Sequence, residues 1–235
     1  KALATRIAIR LRESGGGARG PDGERLLDPS GSPVQIPGLF RNVRAVGWTI
    51  EEYGIAQVSI NLTNFRLTPM HEVYEEARRI AEAIGVSVTG SEIVGLVPKD
   101  ALLDAGRFYL DRAGRCPGAS DRELIHIAVR SLGLSDVKPF VPEDKVIELR
   151  LRQGQRTLVD LSTQDFVDQV GADSAVPGGG SVSALCGSLG AALAAMVANL
   201  TVKRPEFAHL RRDMNNLAVR AQAISTVAGL VGGMI

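Results

Sequence analysis

Residues 43–65 read VRAVGWTI-EEYG-IAQVSINLTNF, and the way this stretch alternates decides the fold. In its second half Ala56, Val58, Ile60 and Leu62 alternate with Gln57, Ser59, Asn61 and Thr63. A period of two gives a β-strand with one apolar and one polar face. VRAVGWTI supplies a partner strand and EEYG the turn, so the stretch predicts a β-hairpin. The polar face has two readings. Amide side chains can pair with the donors and acceptors of a flat heterocycle. Antiparallel sheets also commonly keep one face in water, and pattern alone favours that reading.

Working outward, Thr68-Pro69 suits a helix start, with threonine as the N-cap and proline in the first turn. The helix MHEVYEEARRIAEAIG then stops at Gly85. VSVTGSEIVGLV, residues 86–97, predicts a third strand region broken near Gly90. ALLDAGRFYL, introduced by Pro98-Lys99-Asp100, predicts a short helix. DRELIHIAVRSLGL predicts another, with Leu124, Ile127, Ala128 and Leu132 on one side. Upstream, Leu3, Ile7 and Leu11 mark an amphipathic helix that ends before Gly15-Gly16-Gly17, and residues 15–35 read as a loop. The expectation is an α+β sheet-and-helix domain over residues 36–150.

Residues 142–160 are polar and charge-rich, and a linker is placed at 151–160. Residues 161–235 are then expected to be all-α. Ser162, with Asp165 three residues on, is a capping-box-like helix start. Val176-Pro177 introduces Gly178-Gly179-Gly180-Ser181, followed by a run without charge from Val182 to Val202. By length that run can span a bilayer. Its many small residues argue instead for a helix buried all round in a bundle, where Gly187, Gly190, Ala191 and Ala194 let neighbours approach. Consecutive glycines before a helix leave N–H groups for a carboxylate or phosphate. The Gly-Lys-Ser/Thr element of a P-loop is missing, and a tight turn explains the same glycines.

Composition narrows the function classes. A formal net charge of +1 in 235 residues provides no global field for nucleic acid or an anionic membrane. Aromatic residues at 4% are too few for a single-strand stacking platform. Cys116 and Cys186 form no disulfide framework, which fits reduced thiols in the cytoplasm. The histidines, His71, His126 and His209, show no metal-ligand spacing. A chain that opens on Lys1 and closes on an uncapped apolar run reads as part of a longer protein.

Several stretches resemble the formimidoyltransferase-cyclodeaminase family of folate enzymes. AQVSINLTNF (56–65), the helix start TPMHEVYEEA (68–77) and GSEIVGLVP (90–98) resemble the C-terminal subdomain of glutamate formimidoyltransferase. RIAIRLRE (6–13) is similar to the last helix of the preceding subdomain. VPGGGSVSALCGSLGAALAAMVANLTVKR (176–204) is similar to the start of the cyclodeaminase domain, shared with stand-alone methenyltetrahydrofolate cyclohydrolases. The resemblance implies formimino transfer from N-formimino-L-glutamate to tetrahydrofolate as co-substrate. It further implies closure to 5,10-methenyltetrahydrofolate with release of ammonia, in a homo-oligomer of one-carbon metabolism and histidine degradation. It also implies folate contacts at Arg10, Gln57, Asn61, Gly178, Gly179, Gly180 and Ser181; at the Arg10 position the family carries asparagine. The family's catalytic histidine and aspartate match no residue here: the three histidines lie outside that motif, and no Asp or Glu follows Asp213. Catalytic residues are therefore unassigned. A non-catalytic folate-binding or dimerising module is the alternative.

Overall fold

A computed structural model describes residues 1–51, 54–154 and 157–233, with backbone alone for 228–233. Glu52 and Tyr53 of the EEYG turn, Gln155 and Arg156 of the linker, and Met234 and Ile235 of the closing run lie outside the described residues. The chain is mixed α/β with a helical C-terminal part. It divides into two compact units: Lys1–Val94 with Leu132–Phe140, and Gly95–Ser131 with Val141–Ile235.

The first unit is built on the hairpin. Strand β3 (Val43–Ile50) pairs antiparallel with β4 (Ile55–Leu62), in register from Val43 against Leu62 to Ile50 against Ile55. Val43, Ala45 and Gly47 are buried, while Arg44, Val46 and Trp48 are exposed. The buried face is covered by α1 (Ala2–Leu11) and α2 (Met70–Ala83). Ile7, Ala8, Leu11, Val43, Ala45, Val73, Ala77 and Ile80 share one core there. Each buried Leu, Ile or Val contributes roughly 1.5–3 kcal/mol relative to exposure, so the paired helices hold the hairpin on one side only. At Gly47 the approach is so close that an added Cβ would stand 2.2 Å from the Thr5 nitrogen. The loop over 15–35 is an exposed excursion closed by two-residue strands, β1 (Gly16–Gly17) against β2 (Gln35–Ile36).

Two readings of this unit are corrected. Thr68 does not cap α2: the N-cap is Pro69, and the buried Thr68 hydroxyl donates to the Arg41 carbonyl at 2.6 Å. The hydroxyl is turned to a tertiary carbonyl and away from the helix N–H groups it would cap. Residues 86–97 are not a strand. Val86 and Val88 pack against the core, but among the described residues the segment has no ladder partner; only Val97, which belongs to the second unit, bridges, parallel to Val146. Ser91 instead anchors it, its N–H donating to Gly133 and its hydroxyl to Leu132. Gly85 does end α2, at φ 78°.

The second unit is helical. Helix α3 (Lys99–Arg112) packs on α4 (Asp121–Ser131) around Leu102, Ala105, Leu124 and Ala128. Ile125 is buried on α4 beside Leu124 and Ala128, and Ile127 is half-buried. The charge-rich stretch after 141 forms α5 (Pro142–Lys145) and α6 (Ile147–Arg152), with Glu148 accepting the Lys99 N–H at 2.8 Å. Ser162 caps α7 (Thr163–Val170) by accepting the Asp165 N–H at 3.0 Å. Helix α8 (Gly179–Val202) turns through a short 3₁₀ segment, Pro205–Leu210, into α9 (Arg211–Gly233). These two run back along each other, with the Ser188 hydroxyl donating to the Ser225 carbonyl at 3.0 Å.

Helix α8 is not buried all round. Ser181, Ala195, Ala198 and Val202 are buried, whereas Leu189 and Leu193 are 58% and 59% exposed. Gly187 and Gly190 face open space, since a Cβ at either would meet nothing within 4 Å. Among the described residues α9 is the long helix against α8, so small residues are used on one face, at Ala195 and Ala198, and not around the circumference.

Candidate functional site

The hairpin's uncovered face is where the sequence-singled amides lie. The register sets Asn61 opposite Arg44, Ser59 opposite Val46 and Gln57 opposite Trp48. Alternation turns all six away from the core. The Trp48 indole N–H donates to Gln57 Oε1 at 2.7 Å, and Gln57 Nε2 donates to Glu92 Oε1 at 3.4 Å. Thr63 lies beyond β4, and its hydroxyl is turned to the Asn42 carbonyl at 3.1 Å.

Arg10 is exposed on α1, the helix that covers the opposite face of the sheet. Its charge acts on Glu76 of α2. The Glu76 carboxyl is held below its ordinary value chiefly by the hydrogen bond from Arg79, opposed by partial burial, with Arg10 adding a smaller pull. The structure thus brings Gln57 and Asn61 onto one face and leaves Arg10 on the other side of the sheet.

Gly178 to Ser181 belong to the second unit. Gly178 is the N-cap of α8, with no side-chain cap, and Ser181 lies inside the first turn. Ser181 therefore does not cap the helix. Its hydroxyl is 1% exposed, and Oγ has no hydrogen-bond partner among the described residues. None of the glycines 178–180 takes a positive φ. Nor does packing require glycine at 179, where a Cβ would meet nothing within 4 Å. The first intrahelical bond is Val182 N–H to the Gly178 carbonyl at 3.2 Å, so the N–H groups of 179–181 precede the helical ladder.

The same unit holds a cavity of about 390 Å³, lined by Arg115, Cys116, Glu123, Asn199, Lys203 and Arg211. Partial burial pushes the Cys116 thiol above its ordinary value, against a weaker opposing hydrogen bond from the Gly118 backbone. His71 is buried in the first turn of α2 and His126 is exposed on α4. Among the described residues no cluster of three His, Cys, Asp or Glu side chains is placed to hold a metal ion.

Residues 1–152 match the family described as Formiminotransferase domain, and residues 162–230 the family described as Formiminotransferase-cyclodeaminase. The chain belongs to the formiminotransferase family. It is 42% identical over 234 residues to formimidoyltransferase-cyclodeaminase of Rattus norvegicus, covering 97% of this chain and 40% of that protein. It is 42% identical over 72 residues to glutamate formimidoyltransferase of Thermoplasma acidophilum, 31% of this chain and 24% of that one. It is 29% identical over 69 residues to methenyltetrahydrofolate cyclohydrolase of Methylorubrum extorquens, 29% of this chain and 33% of that one. The chain spans about two fifths of the length of the formimidoyltransferase-cyclodeaminases it matches. The hairpin face lies inside the formiminotransferase match and Gly178 to Ser181 inside the second.

Sequence reasoning missed Trp48 and Glu92. The signal for Trp48 was available: Arg44, Val46 and Trp48 alternate with Val43, Ala45 and Gly47 in VRAVGWTI. No local pattern marks Glu92, which comes from an irregular segment 35 residues along from Gln57.

Proposed function

We propose that the chain contributes folate-binding surfaces to two linked reactions of one-carbon metabolism and histidine degradation. In the first, N5 of tetrahydrofolate attacks the formimino carbon of N-formimino-L-glutamate, and a proton moves to the departing glutamate nitrogen. In the second, N10 closes on the same carbon to give 5,10-methenyltetrahydrofolate, and the former imino nitrogen leaves as ammonia. Tetrahydrofolate is a co-substrate of both. The observation that carries this reading is the order of the two family matches on one chain, with an open, amide-bearing sheet face inside the first.

Residues 36–150 serve in this reading as the C-terminal subdomain of the transferase and 161–235 as part of the cyclodeaminase. Gln57 and Asn61 on the open face present amides to the flat heterocycle. In this reading Gly178, Gly179, Gly180 and Ser181 present backbone N–H groups to an anionic group of folate in the second site, whereas the Ser181 hydroxyl is buried. Arg10, on the far side of the sheet, contributes from α1 to a different part of the ligand's surroundings. The exposed apolar side of α8 fits a homo-oligomer of cytoplasmic protein. Helix α8 is also long and apolar enough to cross a membrane. Its partner α9 carries Arg211, Arg212, Asp213 and Arg220, which is costly in a bilayer and favours the soluble reading. Purification without detergent tests it.

The alternative is a folate-binding or dimerising module without chemistry of its own. It is favoured by the open face itself, where the amides, Arg44, Trp48 and Glu92 stand and no histidine does. Titration of the purified chain with 5-formyltetrahydrofolate in a calorimeter is expected to show saturable heat. The same chain, supplied with N-formimino-L-glutamate and tetrahydrofolate, is expected to form no product above the uncatalysed rate. Absence of heat sinks the folate reading, and product formation sinks the non-catalytic one.

A further inference from the structure

We propose that Trp48, Gln57 and Glu92 form a recognition site for the 2-amino-4-oxopyrimidine edge of a pteridine. This rests on the folate reading above and assigns the part of the ligand that the hairpin face takes. The argument begins with orientation. An indole N–H only donates, so the atom it meets at 2.7 Å must be the Gln57 carbonyl oxygen, and the Gln57 amide is fixed without ambiguity. Its NH₂ group then points to Glu92, reaching Oε1 at 3.4 Å. One amide hydrogen is used there, and among the described residues the second has no acceptor. Among the described residues Glu92 Oε2 accepts no hydrogen bond.

What remains on offer is an ordered row: one amide N–H donor and, beside it, the two acceptor oxygens of a carboxylate. A 2-amino-4-oxopyrimidine edge carries the complement, an O4 acceptor followed by the N3–H and 2-amino donors. A carboxylate accepting two parallel N–H groups makes charge-assisted bonds, the stronger kind. The indole, 51% exposed, adds a flat apolar surface next to the row. Glu92 is not on a loose tether. Its neighbour Ser91 is fixed twice, its N–H to Gly133 at 3.1 Å and its hydroxyl to Leu132 at 2.6 Å. Arg44 stands on the same face, four residues and roughly 13 Å along β3, where an anionic tail extending from the heterocycle would meet a cation.

Trp48 is the chain's single tryptophan, so its fluorescence reports this site alone. The chain is titrated with 5-formyltetrahydrofolate, read in parallel by fluorescence and by calorimetry. Saturable quenching at the calorimetric affinity is expected. Glu92→Gln, a substitution at an exposed position, is expected to weaken binding roughly ten- to a hundred-fold. A 2-desamino-2-methyl analogue, which keeps N3–H, should bind the unaltered chain several-fold more weakly, and Glu92→Gln should cost it less than it costs 5-formyltetrahydrofolate, because one of the two N–H pairs to the carboxylate is already gone. Trp48→Phe keeps a ring but releases the Gln57 amide, and a several-fold loss by calorimetry is expected. Heat of binding without quenching, and with Glu92→Gln equal to the parent chain, overturns this site and leaves the folate reading standing. Absence of heat overturns both. Guanosine monophosphate carries the same pyrimidine edge, and its binding as tightly as 5-formyltetrahydrofolate overturns the pteridine assignment.

Discussion

Valine at Gly47 is expected to part α1 from the hairpin and to cost about 3 kcal/mol or more, above the usual range for overpacking. The ideal Cβ at this position stands 2.2 Å from the Thr5 nitrogen and 2.4 Å from the Ala4 carbonyl carbon. Both are helix backbone, so no side-chain rotation relieves the clash. The helix must move off the sheet, and Ile7, Ala8 and Leu11 leave the core they share with Val43 and Ala45. Amide exchange of 43–50 and 55–62 is the direct measurement, and protection should fall throughout both strands. Because the Trp48 face is framed by the same strands, ligand heat should fall with it. A Gly47→Val chain within about 0.5 kcal/mol of the parent, the ordinary range for surface changes, would mean that α1 does not lie on the hairpin as described.

Leu102→Ala is expected to cost about 2–5 kcal/mol, the range for emptying a fully buried leucine site. Leu102 is 0% exposed, and Leu124 and Ala128 of α4 are buried in the same unit. The site has little means of collapsing. Gly106 already brings α3 against the Leu124 carbonyl, with an ideal Cβ only 2.3 Å from that oxygen, so the helices are near their closest approach and a cavity would remain. Two compact units need not unfold together, so a single unfolding midpoint is a poor readout. Exchange of the amides in α3 and α4 reports the loss locally, and unchanged protection there would contradict the packing.

The hairpin was legible because its two faces differ in composition, and period-two alternation survives any tertiary detail. The stop of α2 at Gly85 and the Ser162 cap of α7 were legible for a similar reason: each is a contact within a few residues. Thr68 was misread because its best acceptor, the Arg41 carbonyl, is 27 residues away. Residues 86–97 were misread because alternation reports an extended backbone and is blind to whether a partner strand exists. The apolar run of α8 was legible as a helix, but its burial depends on what packs against it, and α9 covers one side. On the hairpin face, the amides Gln57 and Asn61 could be read from β4 alone. Trp48 required the register of β3, and Glu92 required the path of an irregular segment.

The claim that the open face of β3 and β4 takes folate is tested most directly at its side-chain N–H groups. In ¹⁵N-labelled chain the Trp48 indole and the Gln57 and Asn61 amides give resolved signals, to be followed as 5-formyltetrahydrofolate is added. The account predicts saturable shifts at all three, largest at Trp48 and Gln57, while the buried-face amides of Ala45 and Gly47 move little. Saturating ligand that leaves the Trp48, Gln57 and Asn61 signals in place would contradict it.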